Sequence, residues 1–512
     1  MDSQTNNKTI AKNTFFLYIR MMVIMIISLY TSRVVLQILG IDDYGIYQAV
    51  GGIVGFLSFI NSALSGGTSR FLTFELGTGN KDRLKNTFST TLTVHILLSL
   101  FVVLLGESLG LWYFNTKMVI PDDRFLAATW VFHLSMLTAI ISIISVPYNA
   151  AIIAHEKMKV FAYSGIVDAV SRLAIVYVLV VGDIDKLVLY AILLFLIQLA
   201  FFLFYVYYCR KSFEESDYKF FYIDKNLFKE IFSFSSWGLL AGGSIALNSQ
   251  GILLLLNYFF APAVVTARSV SLQVYNVANQ FVNNFRTAAN PQIVKQLAAG
   301  DVDGSHRLLL QSTKFSYYLM LILCLPICLL AEPLLHLWLV EVPEYTVPFL
   351  QLVIIQSLFQ VFDTSFYTAL FALGRIKENA LISPTIGLLR FPIVFALFKM
   401  GCSPLALSWA SLITYFVAGC IIKPLLIVKI ADYTWKEILS VLNICLIVTL
   451  VAIPLPIAYY CCFDVDNNLW HAAVELILSV GAVAVSVWFL GLTKNMKQMM
   501  LATVSSRLHI KK

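Results

Sequence analysis

Five arginines stand inside long apolar runs of this sequence: Arg20, Arg33, Arg172, Arg268 and Arg390. A guanidinium at the centre of a membrane-spanning helix costs about 2.5–3.5 kcal/mol on insertion scales, so it must face a wet interior, a partner or a ligand. Its donors form a rigid fork that matches carboxylate and phosphate oxygens. Arg20, Arg33 and Arg268 lie near predicted span ends and could snorkel. Arg172 and Arg390 lie too deep for that, and they occupy matching places, in "SRLAIV" at 171–176 and "LRFPIV" at 389–394. Asp168 precedes Arg172 by four residues, within reach across one helical turn. The position matching Asp168 in the second segment is Ile386, so Arg390 has no acid on its own helix and could find Asp363 in the neighbouring run, or a substrate phosphate.

Arg268, Ser271, Tyr275, Asn279 and Asn283 follow one another at steps of three or four, tracing one stripe that Asn276, Gln280 and Asn284 widen. Such a stripe would not face lipid; it glues helices together or lines a hydrated cavity. Arg33 and Gln37 share a face of the first run. These residues predict a cationic cavity rich in amides and aromatics, suited to an anionic head group bearing hydroxyls. Its candidate binding residues are Arg390, Arg172, Arg268, Arg33, Asn279 and Asn283. Asp363, near mid-membrane, and Asp168 are candidates for coupling to H+ or Na+, with a structural pair to a basic residue as the competing role. Glu107 and Glu475 fall near span ends and read as interfacial; His95 and His133 read as packed or interfacial. No Walker A pattern, nucleophile elbow or His/Cys metal set occurs, and the eight cysteines show no metal or redox spacing. The expectation is a protein that is not an enzyme and carries neither metal nor cofactor.

The elements that hold these residues follow from composition. Of 512 residues, 59% are hydrophobic and 13% charged, with a mean hydropathy of +0.81; soluble proteins carry roughly 25% charged residues. Apolar runs of about 20 residues recur, each able to cross about 30 Å of hydrocarbon as a helix. The pattern predicts an all-α polytopic membrane protein of about fourteen transmembrane helices, at 15–39, 45–67, 88–112, 125–149, 158–181, 186–209, 231–258, 264–285, 312–331, 346–373, 379–399, 404–428, 437–460 and 469–491. The first run is too long for a signal-peptide core and reads as a retained span. Of the 36 basic residues, 27 fall on one side of this scheme and four on the other (Lys117, Arg124, Lys186 and Lys399), where acids such as Asp43, Asp123 and Asp185 gather instead. By the positive-inside rule both termini are cytoplasmic, in the cytoplasmic (inner) membrane. The net charge of +7 is therefore a topology signal and not the footprint of a nucleic-acid binder.

The chain also matches itself. With a shift of 218 residues, "YNAAIIAHEKMK" falls on "FYTALFALGRIK" and Arg172 on Arg390; a shift of about 221 places Gly79 over Gly300. The duplication predicts two parallel six-helix repeats forming two lobes, at 1–210 and 231–430, joined by a charged cytoplasmic linker at 211–230. Two additional helices and a cytoplasmic tail occupy 431–512.

The stretch Arg33–Gly77, "RVVLQILGIDDYGIYQAVGGIVGFLSFINSALSGGTSRFLTFELG", resembles the signature of bacterial oligosaccharide flippases, the polysaccharide-biosynthesis (O-antigen) exporters of the multidrug/oligosaccharidyl-lipid/polysaccharide superfamily. "PYNAAIIAHEKMKVFAY", Pro147–Tyr163, looks like a second block of that family. The resemblance implies a V-shaped, two-lobe transporter working by alternating access on an undecaprenyl-pyrophosphate-linked oligosaccharide, with the intramembrane arginines on the pyrophosphate. It also implies membrane lipids, a polysaccharide polymerase and glycosyltransferases as partners. A cation-coupled multidrug exporter of the same superfamily is the competing function, although a cavity for cationic drugs should carry more acids than arginines. A lipid II flippase is a third. A scramblase or a structural membrane protein would not require matched intramembrane arginines.

Overall fold

The computed structural model describes residues 3–498 except 58, 156, 181–183, 218–221, 226, 230–242, 244–245 and 495; side chains at 3–20, 57–67, 70, 287–288, 291, 298 and 376–384 are also outside the description. Arg20, much of the span at 231–258, part of the linker at 211–230 and the tail beyond 498 therefore lie outside the described residues. The regular elements among those described are all helical. In chain order the principal ones are α1 (Ser3–Leu39), α2 (Ile41–Leu57), α3 (Phe59–Thr78), α4 (Lys81–Leu105), α5 (Phe125–Ala154), α6 (Met158–Val178) and α7 (Lys186–Ser212). After them come α8 (Ile252–Phe259), α9 (Pro262–Ala298), α10 (Val302–Leu329), α11 (Thr346–Ala372) and α12 (Ile376–Lys399). The series closes with α13 (Ala406–Val417), α14 (Lys423–Ile430), α15 (Trp435–Ala452) and α16 (Leu469–Ser486).

Among the described residues, ten helical rods are long and apolar enough to cross a membrane, and each falls on one of the fourteen predicted spans. The remaining four have identifiable positions. Span 45–67 is shared between α2 and α3, span 264–285 lies in α9 and span 379–399 in α12, while 231–258 is mostly undescribed. The polar stripe of α9 keeps it below the apolarity of an ordinary span. The chain is a multi-pass membrane protein.

The internal repeat is visible at helix ends. α5 ends at Ala154 and α11 at Ala372, and α6 begins at Met158 and α12 at Ile376, so the 218-residue offset holds at both boundaries. Gly79 and Gly300, aligned by the second match, both take positive φ, +72° and +82°. Each follows the end of a long helix, where a left-handed residue closes the last turn and glycine does so without strain.

The helices form two compact units, residues 1–266 with 387–395, and residues 267–386 with 396–512. In the first, α5 is the hub, packing on α7, α4, α3 and α2, while α1 packs on α6. In the second, the equivalent helix α11 is the hub, between α10 and α13, and α16 packs on α10 and α15. The hub α11 is the apolar rod most enclosed by protein among those described, 61% of its span, and the hub α5, at 50%, is far more enclosed than α1 and α7 at 22%.

Packing explains the second family-like block. Tyr148, Ala150, Ala151 and Ile152 are buried together with Leu72, Phe88, Leu92, Cys209 and Phe213. His155, one residue past α5, stacks on Phe213 with centroids 4.0 Å apart and meets buried Glu215 at 2.6 Å. The first block is anchored by Asp43, whose carboxylate takes Nη2 and Nε of Arg124 at 2.5 and 2.7 Å while Asp185 takes Nη1 at 2.6 Å. One guanidinium thus ties the starts of α2, α5 and α7. Burial pushes the Asp185 carboxyl up, but Arg124 and the N–H groups of Val188 and Leu187 outweigh it and leave it below its ordinary value. At Asp43 burial prevails and the carboxyl lies above its ordinary value.

Among the described residues four π-helical turns interrupt the rods, at Gly106–Gly110, Leu247–Gly251, Ala418–Ile422 and Val487–Gly491. Such turns insert one residue and re-aim the side chains beyond it, and they concentrate at functional sites. At the third, Gly419 lies so close to α11 that a Cβ would meet the Phe359 carbonyl oxygen at 2.4 Å, whereas one at Gly481 meets nothing within 4 Å. Gly419→Val should therefore cost at least about 1–3 kcal/mol through overpacking and lower the thermal unfolding midpoint in detergent. Gly481→Val should leave that midpoint near wild type.

Candidate functional site

In the first unit the side chains of α1, α2, α6 and α7 line a half-open cavity of about 350 Å³. Arg172 and Asp168, one turn apart on α6, both line it, and Arg172 Nε donates to the two carboxylate oxygens at 3.0 and 3.1 Å. Opposite them α2 contributes Tyr44, Tyr47 and Gln48, α1 contributes Ser28, Thr31 and Ser32, and α7 contributes Tyr190. The Tyr47 and Tyr190 rings meet edge to face at 5.0 Å. The three α2 residues belong to the motif "DYGIYQ", where spacing of three and four places them on one helical face. That spacing was the available signal; motif likeness alone did not separate wall residues from packing residues. Arg33 sits partly buried on α1 but is not among the residues lining this cavity.

Arg390 is buried, 6% exposed, in the stretch of α12 that belongs to the first unit. Its Nη2 donates to the Asn248 side-chain oxygen at 2.5 Å and to the Asn248 carbonyl at 3.4 Å. Asn248 stands in the π-helical turn at Leu247–Gly251. A partner that local sequence did not provide therefore comes from another helix, the amide of Asn248.

In the second unit Arg268 is buried on α9, donating to Ser408 Oγ at 3.2 Å and lying 5.7 Å above the Phe349 ring. Along the same stripe, Ser271 donates to the Thr346 carbonyl at 3.1 Å, and Tyr275 donates to Gln360 Oε1. Asn279 donates to the Tyr275 carbonyl at 3.3 Å, and exposed Asn283 accepts from Arg286 at 3.5 Å. Part of the stripe therefore joins α9 to α11, while Asn283 stays on the surface of the unit.

Asp363 faces Lys423, at 3.5 Å. Lys423 was grouped by the charge asymmetry with the cytoplasmic basic residues; its side chain is 2% exposed and lies 5.4 Å over the Tyr367 ring. Arg286, the next cation, donates to the carbonyl of Thr364 beside Asp363. Lys423 follows the π-helical turn that Gly419 presses against α11, so its burial depends on a close approach that a charge count does not contain. Glu475, expected at an interface, is 0% exposed and accepts from Ser479 at 2.8 Å. Glu107 meets His133 at 3.1 Å, with both side chains largely exposed. Among the described residues no group of three or more His, Cys, Asp or Glu is placed to hold a metal.

Removing one member of a buried pair strands the other charge, at about 3–5 kcal/mol, whereas replacing both with apolar residues is often near neutral. Lys423→Met should thus lower the unfolding midpoint and Lys423→Met with Asp363→Leu should restore much of it. If the double variant transports like wild type, Asp363 is a structural partner and carries no coupling ion.

The geometry agrees with known proteins. The family described as "Polysaccharide biosynthesis protein" matches residues 10–297. Among solved structures, an inward-facing multidrug resistance MATE family transporter of the MOP superfamily superposes with a TM-score of 0.69 at 12% identity, covering 82% of this chain and 99% of its own. The lipid II flippase MurJ, in an inward closed conformation, gives 0.68 at 13% identity, covering 92% and 98%. An outward-facing MATE transporter gives 0.56 at 14%, covering 82% and 97%. No curated protein matches the sequence. The structural likenesses establish the two-lobe fold of those proteins, and with more than half its length matched, the chain belongs to the polysaccharide biosynthesis protein family.

Proposed function

We propose that this protein is a flippase that translocates an undecaprenyl-pyrophosphate-linked oligosaccharide across the cytoplasmic membrane by alternating access, for the assembly of a surface polysaccharide. The observation that carries the reading is the set of guanidinium groups held inside apolar helices. Arg172 opens onto a polar cavity, and Arg268 and Arg390 are buried on hydrogen-bond partners contributed by other helices. Intramembrane arginines are costly unless they serve an anionic cargo or a partner, and a diphosphate is matched by the guanidinium fork. The family match supports the polysaccharide assignment. In this reading Arg390, Arg268, Arg172 and Arg33 bind the head group, its sugars as well as its diphosphate, with Asn279 and Asn283; Asp363 is the place to look for Na+ or H+ coupling and Asp168 for H+ coupling, and both termini are cytoplasmic.

The test is genetic. Arg390→Ala, expressed at wild-type level in cells lacking the native gene, should reduce surface polysaccharide at least tenfold, as quantified by gel and immunoblot. Normal polysaccharide would remove Arg390 from the site, and normal polysaccharide in the deletion strain itself would remove the flippase reading. A deletion strain that becomes drug-sensitive while keeping its polysaccharide identifies an exporter instead.

A further inference from the structure

We propose that the cavity lined by α1, α2, α6 and α7 is a sugar subsite, binding one hydroxylated ring of the glycan and not the diphosphate. The proposal rests on the flippase reading and assigns a narrower cargo to one of its places. Its volume of about 350 Å³ sits at the lower end of the roughly 300–1,000 Å³ typical of small-molecule sites. That volume holds a sugar residue.

Charge decides against the other occupants. Among the described residues Asp168 is the one carboxylate lining the cavity, and Arg172 Nε meets both its oxygens. A metal or sodium ion would therefore face a guanidinium. A diphosphate would find a cation already balanced, with the Asp168 carboxylate beside it and, among the described residues, no second basic residue in the wall. A sugar hydroxyl both donates and accepts, and this wall offers both functions. Arg172 uses Nε on Asp168, and among the described residues its two terminal nitrogens have no other hydrogen-bond partner. Thr31 Oγ1 is buried and likewise unpartnered. The amide of Gln48 and the hydroxyl of Ser28 add donors and acceptors, while Asp168 accepts. The tyrosine rings of Tyr44, Tyr47 and Tyr190 supply amphipathic surface for the apolar face of a ring. Ring stacking beside a carboxylate–guanidinium pair is a wall for a polyol.

The experiment uses the full chain in lipid nanodiscs. The probe is the oligosaccharide released by mild acid from the lipid-linked pool of the cells that make this protein, followed by saturation-transfer difference NMR. Wild type should bind it, and inorganic pyrophosphate at equal concentration should not displace it. Arg172→Gln and Tyr47→Ala should weaken binding at least tenfold. Ser28→Leu, which fills the cavity without touching the ion pair, should do the same, and Gly481→Val, on a helix of the other unit where an added side chain meets nothing within 4 Å, should not. No binding by wild type, displacement by pyrophosphate, or undiminished binding by all three cavity variants overturns the proposal. Thermal unfolding of each variant identifies any that lose binding by losing the fold, and for those the Ser28→Leu result decides. Failure here, with surface polysaccharide still dependent on the gene, strikes the subsite alone; polysaccharide that survives deletion strikes the transport reading whatever the binding shows.

Discussion

Charge inside hydrocarbon is the constraint on which this structure turns. Water cannot solvate a guanidinium or carboxylate at mid-membrane, so each such group must be met from within the protein, and the helices must be placed so that it is. Arg172 meets Asp168, Arg390 meets Asn248, Arg268 meets Ser408 and Asp363 meets Lys423. Two of these contacts depend on π-helical turns, which hold Asn248 and immediately precede Lys423. The local irregularity in the rods is tied to the chemistry that the rods carry.

Duplication has kept the scaffold and diversified the sites. α5 and α11, equivalent by the 218-residue offset, are the hubs of the two units, and the helix ends around them remain in register. On that shared frame the two matched arginines have diverged. Arg172 is neutralised on its own helix and opens onto a cavity, whereas Arg390 is buried against an amide from another helix. Equal positions with unequal partners give one fold two different polar environments, one nearly neutral and hydroxyl-rich, the other a buried donor.

The family-like motifs gain physical meaning in the same way. "DYGIYQ" holds Asp43, which receives Arg124 and ties three helix starts, and Tyr44, Tyr47 and Gln48, which form a cavity wall. "PYNAAIIAH" is an internal seam, with Tyr148 and three small or aliphatic neighbours in the core and His155 stacked on Phe213. One motif positions chemistry and the other makes the packing that supports it.

Much of the fold was legible because its causes are local. Hydropathy over about 20 residues sets a span, and the lysine and arginine bias supports an orientation. Aligned residues set the repeat, and a four-residue spacing on one helix sets the Asp168–Arg172 pair. What could not be read were partners supplied across helices. The Asn248 contact of Arg390, the burial of Lys423 and Glu475, and the meeting of Tyr47 with Tyr190 depend on which faces come together, and apolar helices present many nearly equivalent faces. By itself the sequence determined that arginines would stand in the membrane and need partners, because that follows from the free energy of a charge. Only the tertiary structure decided who the partners are, because helix packing, glycine approach and π-helical turns choose among side chains that sequence leaves equally available.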